Sequence, residues 1–323
     1  MPYDTGMRII SNRSLCLTRV LEWPQVVFTI RSIAEELMGR VDFEILAVNN
    51  FCATIKKQGK EKDDKTYDHL VALQKGYPWL KALKYEDKLS HWQAKNLAVS
   101  QSTGKFLWFC DAHCAVRRNS LYRMYRYYKK HHEALNGTLH LPLSYHILEW
   151  RKLLYKLVWE PKAGNIHYSF TAYRDEREPY RMPCMSTCGM MMTRELYDEL
   201  GGWPIELGIY GGGENFINFT LAVLGKNINI FPGDQLCHHG DKRGYHWYGD
   251  DYVRNRCIAN YMFGGVDLAR QFVDNRRGSR RVLYQIFNDV LDTCGEHRKL
   301  IEAKQVMTIE DWAQQWISPP KEA

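Results

Sequence analysis

The run Phe106-Leu107-Trp108-Phe109, set off by Thr103-Gly104 and ending in Cys110-Asp111-Ala112-His113, most constrains what this chain can fold into. A short apolar run bounded by turn residues reads as a buried strand. Upstream, Leu15 to Val20 and Phe43 to Val48 predict two more strands. Between them, Pro24 to Leu37 places Val27, Ile30, Ile33, Ala34 and Leu37 on one helical face. Strand, helix and strand at crossover length imply a parallel sheet. Trp79 to Tyr85 predicts a third strand before Phe106, and Asn119 to His132 a further helix. A carboxylate and an imidazole two residues apart at a strand end can converge on one divalent cation beside a ligand crevice. Ordinary hydrogen bonding is the competing explanation for that pair.

Other segments fall into an order that gives the strand end a context. Ala94-Lys95-Asn96, Thr103-Gly104 and Asp111-Ala112-His113 follow one another. Then come Cys188-Gly189-Met190, Leu200-Gly201-Gly202-Trp203, Gly211-Gly212-Gly213-Glu214-Asn215, and Cys237-His238-His239 after the strand-like Asn227 to Phe231. From Leu15 to His246 this resembles a GT-A nucleotide-sugar glycosyltransferase of family 2. The Asp-x-His and Gly-Gly-Glu-Asn forms look like those of polypeptide N-acetylgalactosaminyltransferases. The resemblance implies an α/β GT-A fold, Rossmann-like, with a mostly parallel central sheet flanked by helices. It implies Mn2+ or Mg2+ held by Asp111, His113 and a downstream histidine, with His239 the best aligned and His238 the alternative. Asp111 and Glu214 become the catalytic carboxylates, Glu214 as general base or as a clamp on the donor sugar. Thr18, Arg19, Glu22, Asn49, Lys95, Asn96, Gly189, Gly212, Gly213 and Asn215 become donor contacts. Two positions depart from the family. Asn49-Asn50 stands where an Asp usually holds the base or ribose, and Lys95 replaces an Arg, keeping charge without bidentate geometry. Trp203 reads equally well as a stacking platform or as core.

Composition narrows the surroundings. The 323 residues carry a net charge of +7, and no apolar run approaches the ~18 residues that suggest a membrane span. Met1 to Gly6 lacks a charged-then-apolar secretory pattern, so the expectation is a cytoplasmic enzyme of a bacterial or virus-infected cell. Nine scattered cysteines, an odd number, favour reduced thiols over a disulfide framework. The expected organisation is a catalytic domain over 1–250, an aperiodic acceptor-side insertion at 145–182, and a helical extension over 251–323. Arg276-Arg277-Gly278-Ser279-Arg280-Arg281 suggests phosphate contacts. The acceptor expected from that cluster is DNA with a hydroxymethylated base of the phage type. Trp150, Trp159 and Tyr168 are candidates to stack on the exposed base. A polypeptide or a cell-envelope glycan is the rival acceptor, and a catalytically silent nucleic-acid-binding module the rival class.

Overall fold

The computed structural model describes residues 25–53, 65–145, 151–208, 211–239 and 248–317, and the backbone alone of residues 9–15 and 165. Its centre is an eight-stranded sheet in the order β10-β12-β6-β11-β4-β1-β2-β3. In chain order these strands are β1 (Ile9–Leu15), β2 (Glu44–Asn49), β3 (Leu80–Lys84), β4 (Phe106–Phe109), β6 (Gly137–His140), β10 (Tyr180–Met182), β11 (Met190–Thr193) and β12 (Asn227–Ile230). β4, β1, β2 and β3 are parallel, as the crossover spacing predicts; β11 runs antiparallel between β4 and β6. All four residues of β4 and all six of β2 are buried, which explains the unbroken apolar run of β4 and the apolar Ile45–Val48 centre of β2 between its buried polar ends, Glu44 and Asn49. β1 begins earlier than the expected Leu15 to Val20, and residues 16–20 lie outside the described ones.

A second sheet, in the order β5-β13-β7-β8-β9, lies beyond the carboxyl ends of the first. It comprises β5 (Cys114–Val116), β7 (Leu143–Ser144), β8 (Leu153–Glu160), β9 (Asn165–Ala172) and β13 (Leu236–His238). The chain passes from β4 to β5, from β6 to β7 and from β12 to β13. Three main-sheet strands therefore deliver their ends to one boundary, the crevice where ligands of open α/β sheets bind.

Helices cover the main sheet: α1 (Gln25–Leu37), α2 (Thr66–Gln74), α3 (His91–Ser100), α4 (Ser120–Leu135), α5 (Arg194–Leu200) and α6 (Gly213–Val223). Two buried polar side chains of α1 organise its surroundings. Thr29 Oγ1 donates to Ala112 O at 2.7 Å and accepts from Cys114 N at 3.0 Å, fixing the backbone around Asp111 and His113. Glu36 accepts from the backbone N–H of Asn119 and Tyr122 at the start of α4. A carboxylate there satisfies orphan donors and suits the helix dipole.

The segment 145–182 is not aperiodic. β8 and β9 form an antiparallel hairpin of eight residues a side, registered from Leu153–Ala172 to Glu160–Asn165. Its alternation is masked because Tyr155, Leu157 and Trp159 share one face with Ile166, Tyr168 and Phe170, while the other face carries Leu154 and Val158 beside Lys156.

The carboxyl-terminal segment forms α7 (Gly249–Asp274), α8 (Arg280–Glu302) and α9 (Ile309–Ile317). Gly265, at φ 71° and ψ −165°, breaks α7. One turn before the break, the carbonyl of Tyr261 accepts from Arg298 Nη1 of α8. Among the described residues no helix is long and apolar enough to cross a membrane.

Candidate active site

Asp111 lies two residues beyond β4, at the boundary of the two sheets. Its Oδ2 is 3.0 Å from His238 Nε2, and its Oδ1 is 3.8 Å from Lys95 Nζ. His113 Nε2 lies 3.2 Å from the same His238 nitrogen. Two imidazoles and a carboxylate thus aim at one region. Ligand atoms of Asp111, Cys188 and His238 lie within 4.8 Å of one another. Oxygen and nitrogen donors with a thiol behind them fit a divalent cation of borderline softness.

The structure brings His238, and not His239, to Asp111. His238 is the last residue of β13, paired with Cys114 of β5. Successive strand residues face opposite ways, so only one of the pair can point into the boundary. His239 instead donates its backbone N–H to His113 O at 2.9 Å.

Burial alone would raise the Asp111 carboxyl, but Lys95 and then His238 and His113 outweigh it and hold the group well below the usual carboxylate range. Lys95 is 1 % exposed. Its Nζ is 3.2 Å from Thr187 Oγ1 and sits over the rings of Trp92 and Trp203 at 5.0 and 5.6 Å. Trp203 is itself buried, stacked 5.9 Å from Trp92, so it is a floor under Lys95 rather than an exposed platform.

Glu214 occupies the first turn of α6, whose other ten residues are all buried. It therefore marks the one place where this helix meets the crevice. Its side chain accepts from Tyr168 of the hairpin. Burial raises its pKa, and nearby Asp111 adds to the rise against the opposing pull of Lys95. Gly211 and Gly212, both at φ 71°, make the turn before it, where a side chain would be strained. A Cβ at Gly212 would meet backbone of Asn255 in α7, and one at Gly213 would lie 2.1 Å from Trp92 Cε2. Gly213→Ala is expected to destabilise the fold by about 1–3 kcal/mol through overpacking, readable as a lower urea midpoint.

Several expected donor contacts are instead committed to the protein. Asn96 donates to Gln93 Oε1 and Trp203 O and accepts from Trp203 N and Tyr197 Oη, fixing the Gly202-Trp203 turn. Asn96→Ala would strand those groups, and a loss on the order of 1–3 kcal/mol is expected in denaturant titration, with Asn96→Asp recovering part of it. Asn215 donates to Ile166 O at 3.4 Å, tying α6 to the hairpin. Gly189, at φ 86°, donates to Phe109 O and accepts from Leu141 N, joining β4 to the chain leaving β6. Asn49 is buried at the carboxyl end of β2. Its neighbour Asn50 binds Tyr85 O, Lys88 O and Ser90 N. Thr18, Arg19, Glu22 and Trp150 lie outside the described residues. Trp159 packs on Phe219 of α6 at 6.5 Å.

Sequence reasoning missed a tyrosine chain. Tyr155 stacks on Tyr168 at 4.7 Å, Tyr145 Oη is 2.9 Å from Tyr155 Oη, and the Tyr145 ring lies 5.2 Å from that of His238. These side chains run from Glu214 to the histidine cluster. Burial pushes all three phenols up, so each stays protonated and able to donate. The signal available was the alternation of aromatics through 153–172. Cys188 was also missed; its Sγ lies 3.3 Å from that of Cys114.

One arginine of the 276–281 cluster is turned partly inward. Arg276 is half-buried with its guanidinium 4.5 Å from the Phe272 ring, and Arg280 donates to Val273 O. Arg277, Arg280 and Arg281 are exposed, Arg280 with its guanidinium tethered to that carbonyl.

A mixed sheet with a carboxylate–histidine cluster at its carboxyl edge, a glycine-rich turn and a site carboxylate defines the GT-A class of glycosyltransferases. A family description, "Glycosyl transferase family 2", matches residues 20–201. The chain belongs to that family.

Among curated relatives, N-acetylgalactosaminyltransferase 7 of Drosophila melanogaster is 24% identical over 227 residues, 65% of this chain and 36% of the relative. Polypeptide N-acetylgalactosaminyltransferase 10 of Homo sapiens is 20% identical over 239 residues, 67% of this chain and 35% of the relative. The chain thus spans about a third of the length of these relatives. Of solved structures, GalNAc-T7 with UDP, GalNAc and Mn2+ superposes with a TM-score of 0.58 at 16% identity, covering 90% of this chain and 58% of that one. S. aureus TarS with UDP superposes with a TM-score of 0.52 at 12% identity, covering 97% and 78%. Both share the fold.

Proposed function

We propose that this chain transfers a sugar from a uridine diphosphate sugar to a hydroxyl acceptor, using Mn2+ or Mg2+. The observation that carries this reading is the cluster in which His238 touches both Asp111 and His113, with Cys188 close by, Lys95 beneath and Glu214 nearby. The bound cation would supply Lewis-acid neutralisation of the leaving diphosphate. Asp111 and His238, with His113, would hold it; Lys95 keeps Asp111 ionised. Glu214, oriented by Tyr168, would accept the proton of the acceptor hydroxyl or hydrogen-bond the donor sugar. The nucleotide and ion named with GalNAc-T7 support the choice of donor and metal.

The acceptor in this reading is DNA bearing a hydroxymethylated base, supported by the charge of +7 and by exposed arginines outside the matched region. The names of the curated relatives favour a second acceptor, a polypeptide hydroxyl. Release of UDP from UDP-sugars, measured with Mn2+ and with chelator, tests the transferase reading. Sugar incorporation into hydroxymethylated duplex or into a Ser/Thr peptide decides the acceptor. No metal-dependent UDP release from any sugar nucleotide would leave the binding-module alternative.

A further inference from the structure

We propose that a recess between α4 and the β12–β13 connection binds a phosphate group of the acceptor backbone. It has a volume of about 370 Å³ and is lined by Arg123, Arg126 and Tyr127 of α4, Arg177 from the segment before β10, and Phe231 and Pro232 after β12. That volume falls within the range of small-ligand sites.

Its chemistry is unusually one-sided. Arg123 and Arg126 are three residues apart on α4, so they share a face of the helix. Both are exposed, as is Arg177 opposite them. Glu178 is the only carboxylate in the lining. Several other surface arginines of this chain are paired: Arg31 with Glu35, Arg254 with Asp289 and Arg298 with Glu302. Among the described residues none of the three lining arginines has an ion-pair partner. Planar guanidinium groups that converge from two sides suit the bidentate geometry of phosphate. The floor is aromatic, with Tyr127 5.7 Å from Phe231, and offers a surface to the sugar beside a phosphate. The base of α4 is held by Glu36, so the first two arginines are presented from a fixed helix.

The recess also lies where an extended acceptor would pass. Phe231 follows β12, which sits three strand positions from β4 in the main sheet, and Asp111 follows β4 in the same direction. At the usual strand spacing that separation is about 14 Å. It corresponds to roughly four steps along one strand of a duplex. This inference rests on a phosphate-rich acceptor and is independent of the donor chemistry. It moves the docking site from the Arg276–Arg281 segment, where Arg276 is half-buried against Phe272 and Arg280 is tied to Val273 O, to the edge of the sheet that carries the active site.

The test uses the full chain and two fluorescent probes, linear polyphosphate and a ~20-base-pair duplex, titrated at ~50 and ~200 mM salt. The variants are the triple charge reversal Arg123→Glu, Arg126→Glu, Arg177→Glu, the milder triple Gln set, and Arg277→Glu with Arg281→Glu. The reversal is expected to weaken both probes at least about tenfold. It should also reduce the magnitude of the duplex salt slope by about 0.9 for each phosphate that is no longer neutralised. The Gln set should fall between reversal and wild type, and the Arg277/Arg281 pair should change little. The melting shift caused by UDP with Mn2+ should be unaltered in all of them. Loss of polyphosphate binding alone would keep the recess and assign it to a non-nucleic phosphodiester polymer. Wild type that binds neither probe, triple variants that bind as wild type, or loss confined to the Arg277/Arg281 pair would each overturn the proposal. A missing UDP shift in wild type would remove the donor reading and leave the recess standing.

Discussion

Asp111→Asn is expected to lower turnover of a UDP-sugar by about 10³-fold or more and to abolish the Mn2+-dependent melting shift caused by UDP. The substitution preserves shape and can still hydrogen-bond His238, 3.0 Å away. It removes the anionic oxygen that a hard cation needs, and it leaves Lys95 buried without its counter-charge. A Lewis-acid ion supplies several kcal/mol to charge developing in the transition state, and each 1.36 kcal/mol is tenfold in rate. UDP at ~100 times its Kd should stabilise the wild-type fold by about 2.7 kcal/mol, so loss of the shift is easily read. His238→Ala should follow Asp111→Asn, and His239→Ala should retain most of the shift. An Asp111→Asn protein with an intact Mn2+-dependent shift and turnover within tenfold of wild type would remove the cation from this crevice.

Glu214→Gln should reduce kcat by about 10²–10⁴-fold while leaving UDP affinity nearly unchanged, if the carboxylate moves a proton. Its pKa is raised first by burial. The ionised base therefore appears at higher pH than for an ordinary glutamate, and the acid limb of the kcat profile should shift upward in the same direction. Gln abolishes that limb. Stability should respond in the opposite sense. A carboxyl whose folded pKa is raised contributes stability at low pH that is lost as pH rises through that pKa. At neutral pH the ionised group is a net burden on the fold, so the Gln variant should melt at or above the wild-type temperature. Loss of activity with a higher melting temperature identifies a strained functional group rather than a structural one. Equal kcat in the two proteins would reduce Glu214 to a helix-terminal charge.

The central strands were legible because burial writes itself directly into composition: Phe106–Phe109 and Ile45–Val48 contain nothing but apolar or small residues. That Asp111, Lys95 and Glu214 would come near one another was legible as well, since ordered spacing along the chain survives when single motifs are weak. The choice between His238 and His239 was not, because it depends on which face of β13 points to the boundary between the sheets, a matter of one residue in register. The β8–β9 hairpin was hidden by tyrosines, which satisfy a buried face and a polar partner at once and so blur the alternation. Asn96 and Asn215 were assigned to the donor for lack of knowledge of their neighbours. An amide at the right spacing looks the same whether it faces a sugar or the backbone of Trp203.

The passage of three strands from one sheet to the other also shapes how the molecule is made. The cluster's carboxylate and its histidine on β13 are 127 residues apart, and β13 pairs with β5 across a similar stretch of chain. Contacts so distant in sequence form late, after large loops have been closed. A nascent chain that has emerged only through β11 carries Asp111, His113 and Cys188 without the second imidazole. Cation capture should accordingly mark the end of folding rather than guide its beginning.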